Sequence, residues 1–120
     1  MIEQKTKQFT WDYHEKSDIL NVRNINKKSD GNAELGDFTV DFDNNGNVIG
    51  IEIMNASEFL GQVGITKKEI INLTGAELTV TQKNNNMFVW MILRLPHNIE
   101  KCIPLPTPII NEEQIAVVEA

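Results

Sequence analysis

A single cysteine, Cys102, is present, so no disulfide framework can form within the chain, and a reducing compartment is the natural setting. Histidine is nearly as scarce: His14 and His97 are too few for a histidine-rich metal site. Positive charge is also short. Eleven Lys and Arg face seventeen Asp and Glu, giving a net charge of -6 and a sequence pI near 4.8. A field of that sign repels nucleic-acid phosphates, and Lys27-Lys28 and Lys67-Lys68 are pairs, not a basic patch. No apolar run approaches the roughly 18 residues that cross a membrane, and MIEQKTKQFT lacks the greasy core of a secretion signal. A cytoplasmic protein with neither nucleic-acid nor membrane partners is expected. Glycine-rich phosphate loops and the G-x-S-x-G elbow are missing too, so no cofactor and no enzyme activity is expected.

What is there is an ordinary globular composition, 41% hydrophobic and 23% charged over 120 residues, enough for one core and too little for two. One β-rich domain over residues 1–110 is expected, followed by a tail over 111–120 that is disordered or docked through Ile115, Val117 and Val118. The organising stretch is residues 38–54, FTVDFDNNGNVIGIEIM. Phe38, Val40 and Phe42 alternate with polar residues, as do Ile49, Ile51 and Ile53, which is the period of strands with one face on a core. Between them, Asn45-Gly46 suits a turn that needs positive φ, so the stretch reads as a hairpin.

The same residues spell a calcium loop. Asp41, Asp43, Asn45, Gly46 and Glu52 match D-x-[DN]-x-[DN]-G-x5-E at every fixed position. An EF-hand requires flanking helices, however, and both flanks carry β-branched alternation. The plain acidic hairpin tip is preferred. A weak cation or small-molecule site using Asp41, Asp43, Asn45 and Glu52 is kept as the alternative function.

Elsewhere, Phe9, Trp11 and Tyr13 alternate within a first strand, residues 15–18 turn, and residues 19–23 form a second strand that can pair with it. Residues 24–32 read as a polar loop, the most mobile connection in the chain. Asn55 followed by Glu58 predicts a capping box opening a helix of one to two turns, with Phe59, Leu60 and Val63 inward. Residues 65–75 are ambiguous, with Thr66 as a cap if helical. Ala76, Leu78 and Val80 give another strand and residues 82–86 a turn.

Residues 87–95, MFVWMILRL, are apolar on both faces: Met87, Val89, Met91, Leu93 and Leu95 on one, Phe88, Trp90 and Ile92 on the other. Such a strand must be covered on both faces, by a second layer such as the helix, by the C-terminal segment or by another copy of the chain. Phe88, Trp90, Met91, Ile92 and Leu93 are therefore the candidate interface of a homo-oligomer or of a module that binds another protein. Residues 99–110 carry Pro104, Pro106 and Pro108, which suits an edge or an extended arm. His14 and Glu15 beside Asp12 and Asp18 read as a wet turn, and Cys102 with His97 lacks a helix N-terminus to lower the thiol pKa. The fold class expected is α+β, mainly β: an antiparallel meander of hairpins with one or two short helices packed on the sheet.

Two pieces of the chain resemble the small proteins grouped as domain of unknown function 2283. Residues 13–23, YHEKSDILNVR, are similar to that family's opening Y-D-x-x-x-D-x-L-Y-I, with His14 where Asp is usual and Asn21 where Tyr is usual. Residues 40–57, VDFDNNGNVIGIEIMNAS, are similar to its V-D-Y-D-x-x-G-x-I-V-G-I-E-I-L-x-A-S. The resemblance covers about residues 11–60. It implies a β-meander followed by a short helix, no established activity, and an antitoxin-like or partner-binding role.

Overall fold

The computed structural model describes residues 8–84 and 86–106. Two antiparallel sheets and two short helices surround one hydrophobic core. The expected α+β, mainly β class is the observed one. The tail expected over 111–120, and the last four residues of the proline arm, lie outside the described residues.

The first sheet holds β1 (Phe9–His14), β2 (Ile19–Asn24), β3 (Gly31–Leu35), β4 (Phe38–Phe42) and β5 (Val48–Met54), in the order β1-β2-β5-β4-β3. Local hairpins make β1-β2, β3-β4 and β4-β5, the first and the last as alternation and turn residues dictate. The sheet is not a simple meander, because β2 pairs with β5, which leaves β3 at the far edge. Registers such as Val22↔Ile51 and Val40↔Ile51 line up Leu20, Val22, Phe38, Val40, Ile51 and Ile53 on one buried face.

Two expectations are corrected here. Residues 31–32, expected as the end of the polar loop, open strand β3, which is exposed along nearly its whole length and held by backbone pairing to β4. The register also shifts between Asp41 and Phe42, so Phe42 pairs with Val48 and Ile49 is the extra residue of a bulge. Ile49 is buried but stands apart from the main cluster.

After β5, helix α1 (Ala56–Gly61) sends Ala56 and Leu60 into the core, and α2 (Lys67–Ile71) sends Ile70. Phe59 packs edge-to-face on Phe38 with ring centroids 4.9 Å apart. Val63, expected inward, is exposed, because the helix has already ended at Gly61. The predicted capping box at Asn55 is not formed. Asn55 is left-handed with φ 54 and makes no side-chain cap bond. The box forms one helix later, where the Thr66 hydroxyl accepts from the Glu69 N–H at 3.2 Å and Glu69 Oε1 accepts from the Thr66 N–H at 2.9 Å.

The second sheet is β6 (Gly75–Lys83), β7 (Asn86–Leu95) and β8 (Ile99–Leu105), in that order. A tight turn over Pro96–Asn98, with His97 and Asn98 at φ 67 and 61, folds β8 back onto β7. Pro104 sits on an edge strand, where its missing N–H costs no ladder bond on the open side. On the inner face, Leu78, Met91 and Ile103 form one cross-strand row and Val80, Val89 and Leu105 the next. These rows and the buried face of the first sheet share the core, with β6 packed against β1 and β2. Lys101 donates to the Val63 carbonyl at 3.0 Å, tying the helix connection to β8.

Candidate interaction surface

Strand parity decides what each sheet shows to its outside. On the second sheet the cross-strand rows are Gly75–Arg94–Glu100, Glu77–Ile92–Cys102 and Thr79–Trp90–Pro104, followed by Thr81–Phe88 and Lys83–Asn86. The middle of that face is apolar: Phe88 is 48% exposed, Trp90 and Ile92 are half-buried, and Cys102 and Pro104 flank them in the open. The Trp90 indole N–H donates to the Thr81 hydroxyl at 3.1 Å, which fixes the ring on the face. At one end Arg94 is clamped by Glu77 at 3.3 Å and Glu100 at 3.2 Å.

Of the five residues expected to form an interface, Phe88, Trp90 and Ile92 share this outer face. Met91 and Leu93 do not. Both are completely buried on the inner side of β7, because residues of opposite parity on a strand point to opposite faces. Grouping all five put core and surface together.

The outer face of the first sheet is a different surface. Asp12, Asn21, Glu52, Thr39 and Glu34 form one row and Thr10, Arg23, Gly50, Asp41 and Asn32 the next. His14 lies 3.3 Å from Asp12, both well exposed, and Asn21 donates to the same carboxylate at 3.2 Å. This is a solvated acidic sheet face.

The acidic turn is built as a turn. Asp43 Oδ1 accepts from the N–H groups of Asn45 and Asn47, both at 2.9 Å, and Oδ2 from the Asn47 amide at 3.2 Å. The Asn47 backbone bond is the first cause of its lowered pKa, with the Asn47 amide, the Asn45 N–H and Lys27 adding to it against a smaller effect of burial. Gly46 supplies φ 81. Asp41 and Glu52 stand on adjacent strands of the outer face, diagonal to one another, while Asp43 turns its oxygens into the loop. The flanks are strands, as the alternation requires. Among the described residues no group of three or more His, Cys, Asp or Glu is placed to hold a metal ion.

One constellation escaped sequence reasoning. Asp18, left-handed at φ 59 in the β1-β2 turn, accepts from the Tyr13 hydroxyl at 2.5 Å, the Ser57 hydroxyl at 2.7 Å and the Ser57 N–H at 3.0 Å. Its own carbonyl accepts from the Ala56 N–H at 3.0 Å. A residue from a distant hairpin thus caps α1, the part that Asn55 does not play. Burial pushes the Asp18 carboxyl up, but the bonds from Tyr13 and Ser57, with Lys67 nearby, outweigh it and hold the pKa below the usual range. The Tyr13 phenol moves the other way, raised by burial and then by its bond to Asp18 and the charges of Asp18 and Glu15. The signal was present as Tyr13, Asp18 and Ser57 in the two motif pieces, but separated by about forty residues.

Comparison with known proteins agrees with this anatomy. Residues 11–57 match the family described as protein of unknown function (DUF2283). An uncharacterised protein of Methanocaldococcus jannaschii is 47% identical over 47 residues, which cover 39% of this chain and 40% of that protein. No solved structure matches. The matched segment opens at Trp11 in β1 and closes at Ser57, the residue that grips Asp18, so it takes in the five-stranded sheet and stops before the second. Over residues 11–57, about two fifths of its length, this chain is similar to the DUF2283 family.

Proposed function

We propose that the chain is a non-catalytic protein-interaction module whose contact surface is the outer face of β6-β7-β8. The observation that carries this reading is the contrast between the two outer faces. One sheet turns carboxylates to solvent, whereas the other turns out Phe88, Trp90 and Ile92 beside Pro104. Aromatic side chains on a rigid strand offer large contact area with little rotamer entropy to lose, which is why they anchor protein interfaces. His14 is spent on Asp12 and His97 sits in a tight turn, which supports a binding role over catalysis. An antitoxin-like task, in which a partner is neutralised by being covered, is compatible with such a face. The cytoplasm is the compartment we assign, because Cys102 stands exposed and unpaired on that surface.

The test is retention of binding partners from native lysate by the tagged full chain and by Trp90→Glu and Phe88→Ser variants. The variants lose what the parent retains, while circular dichroism stays unchanged. Equal retention by all three removes the reading.

A further inference from the structure

Five features of the second sheet's outer face bear on what covers it: its charge, the order of that charge along the strand, its area, the position of its cysteine, and the character of the opposite face. Two of the eleven basic residues, Lys83 and Arg94, and two of the seventeen acidic ones, Glu77 and Glu100, stand on it, so the face is neutral. The rest of the molecule carries the whole net charge of -6. The other outer face, with Asp12, Glu34, Asp41 and Glu52 against Arg23, would repel its own copy.

Along β6 the outer positions run Glu77, Thr79, Thr81, Lys83, acidic at one end and basic at the other. The apolar residues are centred between these ends, on the Thr79–Trp90–Pro104 row. A surface of opposite charges about an apolar middle is complementary to itself when a second copy is turned end for end, which is the condition for an isologous contact.

Building on the interaction reading above, we propose that the occupant of this face is a second copy of the chain. The two sheets pack face to face about a two-fold axis that crosses the strands at the Trp90 row. In this arrangement Trp90 meets its symmetry mate and Phe88 of one copy meets Ile92 of the other. Lys83 lies over the Gly75–Arg94–Glu100 row of the second copy, where the Arg94 side chain fills the space beside Gly75 and Glu77 stands one row away. Cys102, one row from the axis, is covered.

The area sets the strength. With β7 ten residues long, about 3.3 Å per residue and strands about 4.8 Å apart, the face projects about 450 Å². That is below the roughly 800 Å² per partner of a standard stable complex, so the dimer is weak and concentration-dependent.

Sedimentation equilibrium of the full chain from micromolar to near-millimolar concentration is the test. A monomer–dimer equilibrium is expected, with Trp90→Glu raising Kd at least about 30-fold, as for a central aromatic anchor. Lys83→Glu and Glu77→Lys each raise it about 5-fold, and the Lys83→Glu/Glu77→Lys double variant returns toward the parent value. The Cys102 thiol reacts with maleimide more slowly as concentration rises. A chain that stays monomeric throughout, a double variant no tighter than the singles, or a dimer whose Cys102 reacts at the monomer rate each overturns the two-fold arrangement. If the chain is monomeric and Trp90→Glu still abolishes capture of another protein, the second copy falls and the interaction face stands. If Trp90→Glu changes neither, both fall.

Discussion

At the scale of single residues, Asp18 ties together parts of the chain that lie about forty positions apart. Three donors from Tyr13 and Ser57 converge on its carboxylate, joining the first hairpin to the start of α1. Hydrogen bonds to a charged acceptor contribute about 1.5–3 kcal/mol each before coupling, and a lost helix cap costs about 1 kcal/mol. Asp18→Asn keeps the left-handed tolerance and the shape but turns an amide N–H₂ toward one of these donors. It should cost about 2 kcal/mol, read as a lower urea midpoint at unchanged slope. The signs of the two pKa shifts set the pH window. The lowered pKa of Asp18 means its stabilisation is present above the ordinary carboxyl range and is lost as pH falls through the lower folded value. The raised pKa of Tyr13 means its contribution is present below about pH 10, the ordinary phenol value, and is lost as pH rises past it. The stability difference between the parent and Tyr13→Phe should therefore be level from about pH 5 to 9 and shrink on both sides. A difference that does not vary across the whole range would show that the phenol and the carboxylate are not coupled.

At the scale of elements, two helix starts that look alike in sequence behave differently. Asn55 has no cap bond and only a long contact, 3.3 Å, to Asp37, whereas Thr66 and Glu69 close a full box. Thr66→Ala should cost about 1 kcal/mol, while Asn55→Gly, which suits a left-handed φ, should stay within about 0.5 kcal/mol of the parent. Equal losses in chemical denaturation would mean that Asn55 does cap α1. The same contrast explains what was legible in the chain. Local pairings were readable because alternation and a turn residue lie within a few positions, as in β1-β2 and in β4-β5 around Gly46. Strand β3 was not, because GNAEL has no apolar stripe and owes its form to backbone bonds with β4. The pairing of β2 with β5 and the capping of α1 by Asp18 are tertiary facts about residues some thirty to forty positions apart. At the candidate site, alternation in β7 separated Trp90 from Met91 correctly, but apolar character alone could not say which parity faced the core.

At the scale of the molecule, the DUF2283 segment and the proposed contact face occupy different sheets, so the family match does not bear on the face. What the whole chain adds is charge. Two copies at -6 repel one another at distances where the neutral face exerts no pull, and screening with a Debye length near 10 Å at 0.1 M salt weakens that repulsion before it reaches the close pair of Lys83 and Glu77. Salt and pH should therefore act on the dimer in one direction. Raising NaCl from about 20 to 150 mM lowers Kd about 3-fold, and lowering pH from 7 toward the sequence pI near 4.8 lowers it further. Lys83→Glu, which makes each copy two charges more negative, shows the steeper salt response. Sedimentation at three ionic strengths separates this from a contact governed by its own ion pairs, for which Kd would instead rise with salt. That outcome would move the seat of association from the apolar row at Trp90 to the charged ends of the face.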